Sequence, residues 1–169
     1  FLLIIIVSRT LGAEGKGEVS LFIYRISLVV MANYFIGGTV LVYLSSRHSV
    51  SQLLLPSYIW SIFSSIVIGV VFSFGSSFST DYVLHLIVLS LLQSFFGNHL
   101  FILQGKEKIK LNNWLSLLQI VILFFSFIGW TFLAKEKTVF QYIQALYISY
   151  GISFLVSFIY VSRYFTGSF

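Results

Sequence analysis

Apolar stretches of bilayer length recur along this chain, and each is closed off by charges or turn-forming residues. Counted at about 20 helical residues for roughly 30 Å of hydrocarbon, they fall at about 21–44, 54–74, 82–103, 113–133 and 141–162. A further run, FLLIIIV at 1–7, is too short to cross and reads as the tail of a first span. With Arg163-Tyr164-Phe165 following directly on the last span, the sequence reads as a fragment at both ends. None of the stretches alternates apolar and polar positions as barrel strands do, and a helix pairs all its backbone polar groups internally, so the expected element is the α-helix. Pro56 falls in the first turn of its span, where a missing amide costs little. Ser79, Thr80 and Asp81 offer N-cap oxygens to the next span. Tyr58, Trp60, Tyr82, Trp114 and Trp130 mark interfacial belts. The loops between spans run to about 8–15 residues and hold no linker or soluble domain. Residues 1–169 are thus expected to form one all-α, polytopic membrane helix bundle.

Composition supports this pattern. Hydrophobic residues make up 58% and charged residues 9%, and the chain carries 19 Phe, 10 Tyr and 3 Trp. A soluble domain of this size leaves too much of its surface in water to hide so much apolar area. The absence of cysteine excludes disulfides and thiolate chemistry. The net charge of +5 comes from Lys and Arg spread over the gaps between apolar runs, not gathered on one face, so no nucleic-acid partner is expected. Taken by alternate gaps, Arg47, Lys106, Lys108, Lys110 and Arg163 stand on one side, and Arg9, Lys16, Arg25, Lys135 and Lys137 on the other. Arg9 and Arg25 sit at the edges of apolar runs; discounting them places the GKEKIK loop, 105–110, in the cytoplasm.

The stretch SRTLGAEGKGEVSLF, residues 8–22, has the glycines and lysine of a phosphate loop but not their order. Lys16 is followed by Gly17 instead of Ser or Thr, and the run that follows is too long for a strand, so a nucleotide fold is not expected. Charges near hydrocarbon cost at least about 2.5 kcal/mol at a helix centre and usually face a bundle interior or a wet path. Arg9 and Arg25 are therefore the first cavity candidates, with snorkelling to headgroups as the alternative. Asn33 and Gln93 are the deep polar candidates, and Gly37 and Gly38 serve packing or a hinge. His85 and His99 lie 14 residues apart, about 21 Å by helical rise, so they share a face without sharing a metal. Each is expected to make an interfacial or interhelical hydrogen bond; an i, i+4 pair of Asp81 with His85 is the lesser reading of Asp81. Lys106, Lys108 and Lys110 form a basic loop drawn to anionic headgroups. No metal site, cofactor or catalytic constellation is expected, because Glu14 and Glu18 lie on a glycine-rich loop and the histidines stand apart.

Three pieces together carry a likeness: SRTLGAEGKGEVSLF after the first span, Gly37-Gly38 in the second, and LQGKEKIKLNNWLSLLQ joining the fourth and fifth. The chain resembles, over its whole length, the polysaccharide-transporter branch of the multidrug/oligosaccharidyl-lipid/polysaccharide flippase superfamily, which includes O-antigen and capsule-unit flippases. Ala13 stands where that family usually has proline. The resemblance implies the N-terminal six-helix lobe of a two-lobed flippase-type transporter in the bacterial inner membrane, with a C-terminal lobe as its partner. It implies alternating access for a lipid-linked oligosaccharide of the polyprenyl pyrophosphate type. Arg9 matches a cavity arginine of the related lipid II flippase, where positive charge meets pyrophosphate. A multidrug extruder of the same superfamily would want an acidic residue that only Asp81 approaches, and a lipid- or sugar-modifying membrane enzyme is the remaining alternative.

Overall fold

The computed structural model describes residues 2–75, 80–133 and 138–165, and among these the backbone is helical almost throughout. The elements are α1 (Leu2–Ser45), α2 (Val50–Gly75), α3 (Thr80–Gly105), α4 (Ile109–Leu133) and α5 (Val139–Ser162). Each contains a stretch long and apolar enough to cross a membrane. The protein is a multi-pass, all-α membrane bundle, and its surroundings include membrane lipid.

The helices run further than the apolar runs that announce them. α2 begins at Val50, so Pro56 stands in the second turn, not the first. The connections 46–49 and 106–108 are shorter than the loops expected. The physical reason is that continuing a helix keeps each backbone group paired, so polar residues at a membrane edge need not end one. Hydropathy marks where lipid lies, not where the helix stops. Ser79, Lys135 and Lys137 lie outside the described residues, as do the side chains of Thr80 and Asp81, so the expected capping and the Asp81–His85 pair lie there too.

The largest departure is in α1. The expected loop at 8–20 is helical on both sides of a single residue, and the runs 2–7 and 21–44 join into one element of 44 residues, Leu2–Ser45. At 1.5 Å per residue that is about 66 Å, twice the hydrocarbon thickness of roughly 30 Å. Two residues leave helical geometry: Gly12 (φ 72°, ψ −172°) and Gly38 (φ −35°, ψ −108°). A positive φ of this kind is open at little cost only to glycine. Gly12 therefore divides a short leading segment from the part that runs the length of the bundle. The leading segment is not detached, since Val7 is buried in the same core cluster as Ile143 and Leu146.

Contacts at the two ends of the bundle fix its vertical register. At one end the Phe22 ring meets Tyr82 edge-on at 6.3 Å, and Gly15 faces the Val139 side chain. At the other, Gly105 lies so close to α1 that a Cβ there would collide with the Val42 carbonyl and Ser45 Oγ. α3 is central and packs against the other four helices. Two apolar cores flank its middle, one around Val29, Leu89, Phe127 and Ile143, the other around Phe96, Ile102, Leu103 and Leu115.

The end bearing Gly105 also carries Arg47, Lys106, Lys108, Lys110 and Arg163. Arg47 covers the Tyr43 ring at 4.6 Å and Arg163 the Tyr160 ring at 5.2 Å. The α3–α4 turn closes with Lys108 N–H donating to the Leu103 carbonyl at 2.9 Å and Glu107 N–H to that of Gln104 at 3.0 Å. Those two bonds make a Schellman motif, and Glu107 (φ 58°) occupies its left-handed position, where glycine is usual.

Candidate functional site

A cavity of about 350 Å³ opens between α1, α3 and α5. Ile23, Ser27, Met31 and Tyr34 form one wall at helical spacing along α1, Gln93 comes from α3 and Tyr150 from α5. Gln93 is fixed from behind, because its Oε1 accepts a hydrogen bond from Gln119 Nε2 of α4 at 2.6 Å. The Gln119 backbone carbonyl in turn accepts from Ser149 Oγ of α5 at 2.7 Å. An amide carries two N–H donors besides that acceptor. The cavity thus offers fixed amide donors, a serine hydroxyl and two phenols on an otherwise apolar wall. Such a surface suits a polar, hydroxyl-bearing group better than a cation, since no carboxylate is among its lining residues.

Deeper polar residues do different work. Asn33, on α1, is wholly buried and does not line that cavity. Its Oδ1 accepts from Ser61 Oγ of α2 at 3.1 Å, and Ser61 Oγ accepts from Asn98 Nδ2 of α3 at 2.9 Å. Three helices meet in this knot. Gly37 makes room for it, as a Cβ there would stand 3.2 Å from Asn98 Oδ1, and the non-helical Gly38 follows directly. Beside the knot, His99 of α3 bridges α2 and α5. Its Nε2 is bonded to the Tyr58 hydroxyl of α2, and its Nδ1 to Ser157 Oγ of α5 at 2.7 Å. A neutral imidazole has one donor and one acceptor, so both nitrogens are used. The ring stacks on Phe154 with centroids 5.5 Å apart. His85 likewise reaches α5, where its Nδ1 meets the Tyr147 hydroxyl at 2.9 Å. Both histidines make the interhelical bonds that their shared face implies. Tyr58, expected at the interface, is instead an interior partner.

The arginines stand apart from the Gln93 cavity. Arg25 is half-buried with its guanidinium 5.8 Å from the centre of the Phe72 ring, and it shares a narrow pocket with Glu18 and Tyr82. Arg25 and the cavity residue Ser27 lie two positions apart on the same helix. Arg9 is exposed on the segment ahead of Gly12. Lys108 and Lys110 are exposed at the start of α4, the positive end of its dipole, where helix electrostatics alone disfavours cations. Anionic headgroups at that surface would supply the missing favourable term.

The chain matches no family model, no curated protein and no solved structure. What the site can do is therefore judged on its own residues. Sequence reasoning picked Gln93 as the central polar residue of α3 but did not foresee Tyr34, Tyr150 and Ser27 around it. It also passed over the serines. Ser149, Ser153 and Ser157 recur every four residues on α5 and are fully buried, as are Ser90 and Ser94 on α3. That spacing is visible in the sequence and is the signature of close helix packing in lipid.

Proposed function

We propose that this chain forms the substrate-facing part of a transporter that carries a lipid-linked oligosaccharide across the bilayer. The observation that carries the reading is the cavity whose wall joins Gln93, buttressed through Gln119, to Tyr34, Tyr150 and Ser27. Sugar hydroxyls need donors and acceptors fixed in space, and Gln93, Ser27 and the two tyrosines are the polar residues of this wall. Arg25, on the same helix, supplies a guanidinium able to pair with phosphate oxygens. The break at Gly12 falls inside the loop motif on which the flippase resemblance rests. On this reading the polar headgroup moves through a wet interior by alternating access between this lobe and a second one, the lipid tail stays in the membrane, and the GKEKIK turn faces the cytoplasm. The protein acts by transport, not catalysis, and uses no cofactor.

The test is made in cells that depend on the protein for surface polysaccharide. Gln93→Ala, Arg25→Ala, Arg9→Ala and Arg9→Lys are scored for polymer and for membrane abundance. Loss of polymer at normal abundance in Gln93→Ala and Arg25→Ala, with partial rescue of Arg9→Ala by Arg9→Lys, is the expected result. Normal polymer in every variant would sink the cavity assignment.

A further inference from the structure

Five polar side-chain atoms in the middle of the bundle have no hydrogen-bond partner among the described residues: the hydroxyls of Ser65, Ser94 and Ser153, Asn33 Nδ2 and Asn98 Oδ1. Their residues are each at most 1% exposed. Serine in a helix ordinarily donates to a carbonyl three or four residues back, as Ser57, Ser61, Ser64, Ser90 and Ser157 do here. Ser65, Ser94 and Ser153, which have no such partner, are found on three different helices at one depth. α2 and α3 run antiparallel, and Ser61 is bonded to Asn98. One turn onward from Ser61 and one turn back from Asn98 brings Ser65 level with Ser94. α3 and α5 run parallel, and His99 is bonded to Ser157. Ser153, one turn before Ser157, is therefore level with Ser94 and Phe95.

Hydrogen counting at the adjoining knot leads the same way. Ser61 has one hydroxyl hydrogen and two acceptors for it, the Ser57 carbonyl at 2.7 Å and Asn33 Oδ1 at 3.1 Å. The hydrogen cannot satisfy both fully, while the Asn33 amide hydrogens and Asn98 Oδ1 have no partner, so donors and acceptors in the knot are mismatched even where its bonds are made. An unmatched buried polar group costs about 1–3 kcal/mol, and native interiors avoid that cost by admitting water, which makes about three hydrogen bonds at such sites.

We propose that the bundle holds a small cluster of internal waters between α2, α3 and α5, in contact with Ser65, Ser94 and Ser153 and reaching the Asn33–Ser61–Asn98 knot. Water both donates and accepts, so it matches the Asn98 acceptor, the Asn33 donor and the hydroxyls together. The five residues are neutral, which suits water and gives an ion no countercharge. The site is separate from the Gln93 cavity and does not depend on the transport reading.

Water-edited solid-state NMR of the full chain in lipid bilayers tests it. Polarisation from water should build up at Ser94, Ser153 and the Asn98 side-chain amide several-fold faster than at Leu117 and Ile120, two exposed apolar residues of α4. In a Ser94→Ala/Ser153→Ala variant the Asn98 transfer should fall toward the α4 rate while that of Gln93 is unchanged. Build-up at the α4 rate in the unaltered protein means a dry seam and overturns the proposal. So does undiminished transfer at Asn98 in the variant, because the polarisation then arrives from the Gln93 cavity.

Discussion

α3 and α4 follow one another, have 26 and 25 residues, and read as equally good membrane spans, yet they occupy opposite situations. In the most apolar stretch of α3, 56% of residues are buried inside the protein, against 11% in α4. Apolar content does not separate them; polar residues do. α3 places His85, Gln93, Asn98 and His99 against its neighbours. α4 sends Gln119 to α3, but its Ser116 and Thr131 turn back on their own helix, and Leu117, Ile120, Phe125 and Phe132 are exposed. Lipid tails are as apolar as leucine, so a membrane helix gains little by hiding leucine and much by pairing amides and imidazoles. The centre of this protein is where hydrogen bonds have to be made.

Glycine substitutions should divide the two helices most sharply. Gly105→Ala drives a Cβ into the backbone of α1 and should destabilise the protein by about 3 kcal/mol. Gly129→Ala on α4 meets no atom within 4 Å and should stabilise it by about 0.5–1 kcal/mol. Melting midpoints in micelles that move the same way for both would erase the distinction.

Within α4 itself, Leu115 is fully buried and Leu117 is 61% exposed. Leu115→Ala should cost about 1–3 kcal/mol, below the usual range for soluble cores because the transfer from water is missing. Leu117→Ala should change stability by under about 0.5 kcal/mol. Equal losses in denaturant titration would show that α4 is covered by protein on its outer face.

The His99 bridge predicts a smaller effect. A double-mutant cycle of Tyr58→Phe with His99→Phe should give a coupling of about 0.6 kcal/mol, and at most about 1.7 kcal/mol, the average and upper values for hydrogen bonds between membrane helices. Additive losses would mean that the bond contributes nothing beyond packing. A change of comparable size is expected in the α3–α4 turn. Glu107→Gly relieves a left-handed backbone and should stabilise by about 1 kcal/mol, whereas Glu107→Val should destabilise. Thermal unfolding of both variants checks the sign.

Legibility in the sequence follows the same physics. The spans could be read because a bilayer demands long apolar helices, and Gln93, Asn33 and the histidines stood out because polar residues are costly there. The break at Gly12 was hidden among Gly12, Gly15 and Gly17, three glycines of which only the first takes a positive φ. Tyr58 could be taken for an interfacial anchor because no count along α2 reveals that His99 stands opposite. Arg9 and Arg25 looked alike by their place at the edges of apolar runs, but one is exposed and the other half-buried against Phe72.

The sequence alone determined that this is an all-α membrane protein with its basic residues outside the most apolar runs, since the solvent imposes those features on any chain of this composition. Only the tertiary structure decided which polar residues meet. Asn33 joins Ser61 and Asn98, Gln93 turns to a cavity backed by Gln119, and His99 is shared between Tyr58 and Ser157. A hydrogen bond across helices depends on rotation and depth within an ångström or so. Those are set by contacts between distant parts of the chain, such as Gly105 against Val42, and not by anything local to the residues that form the bond.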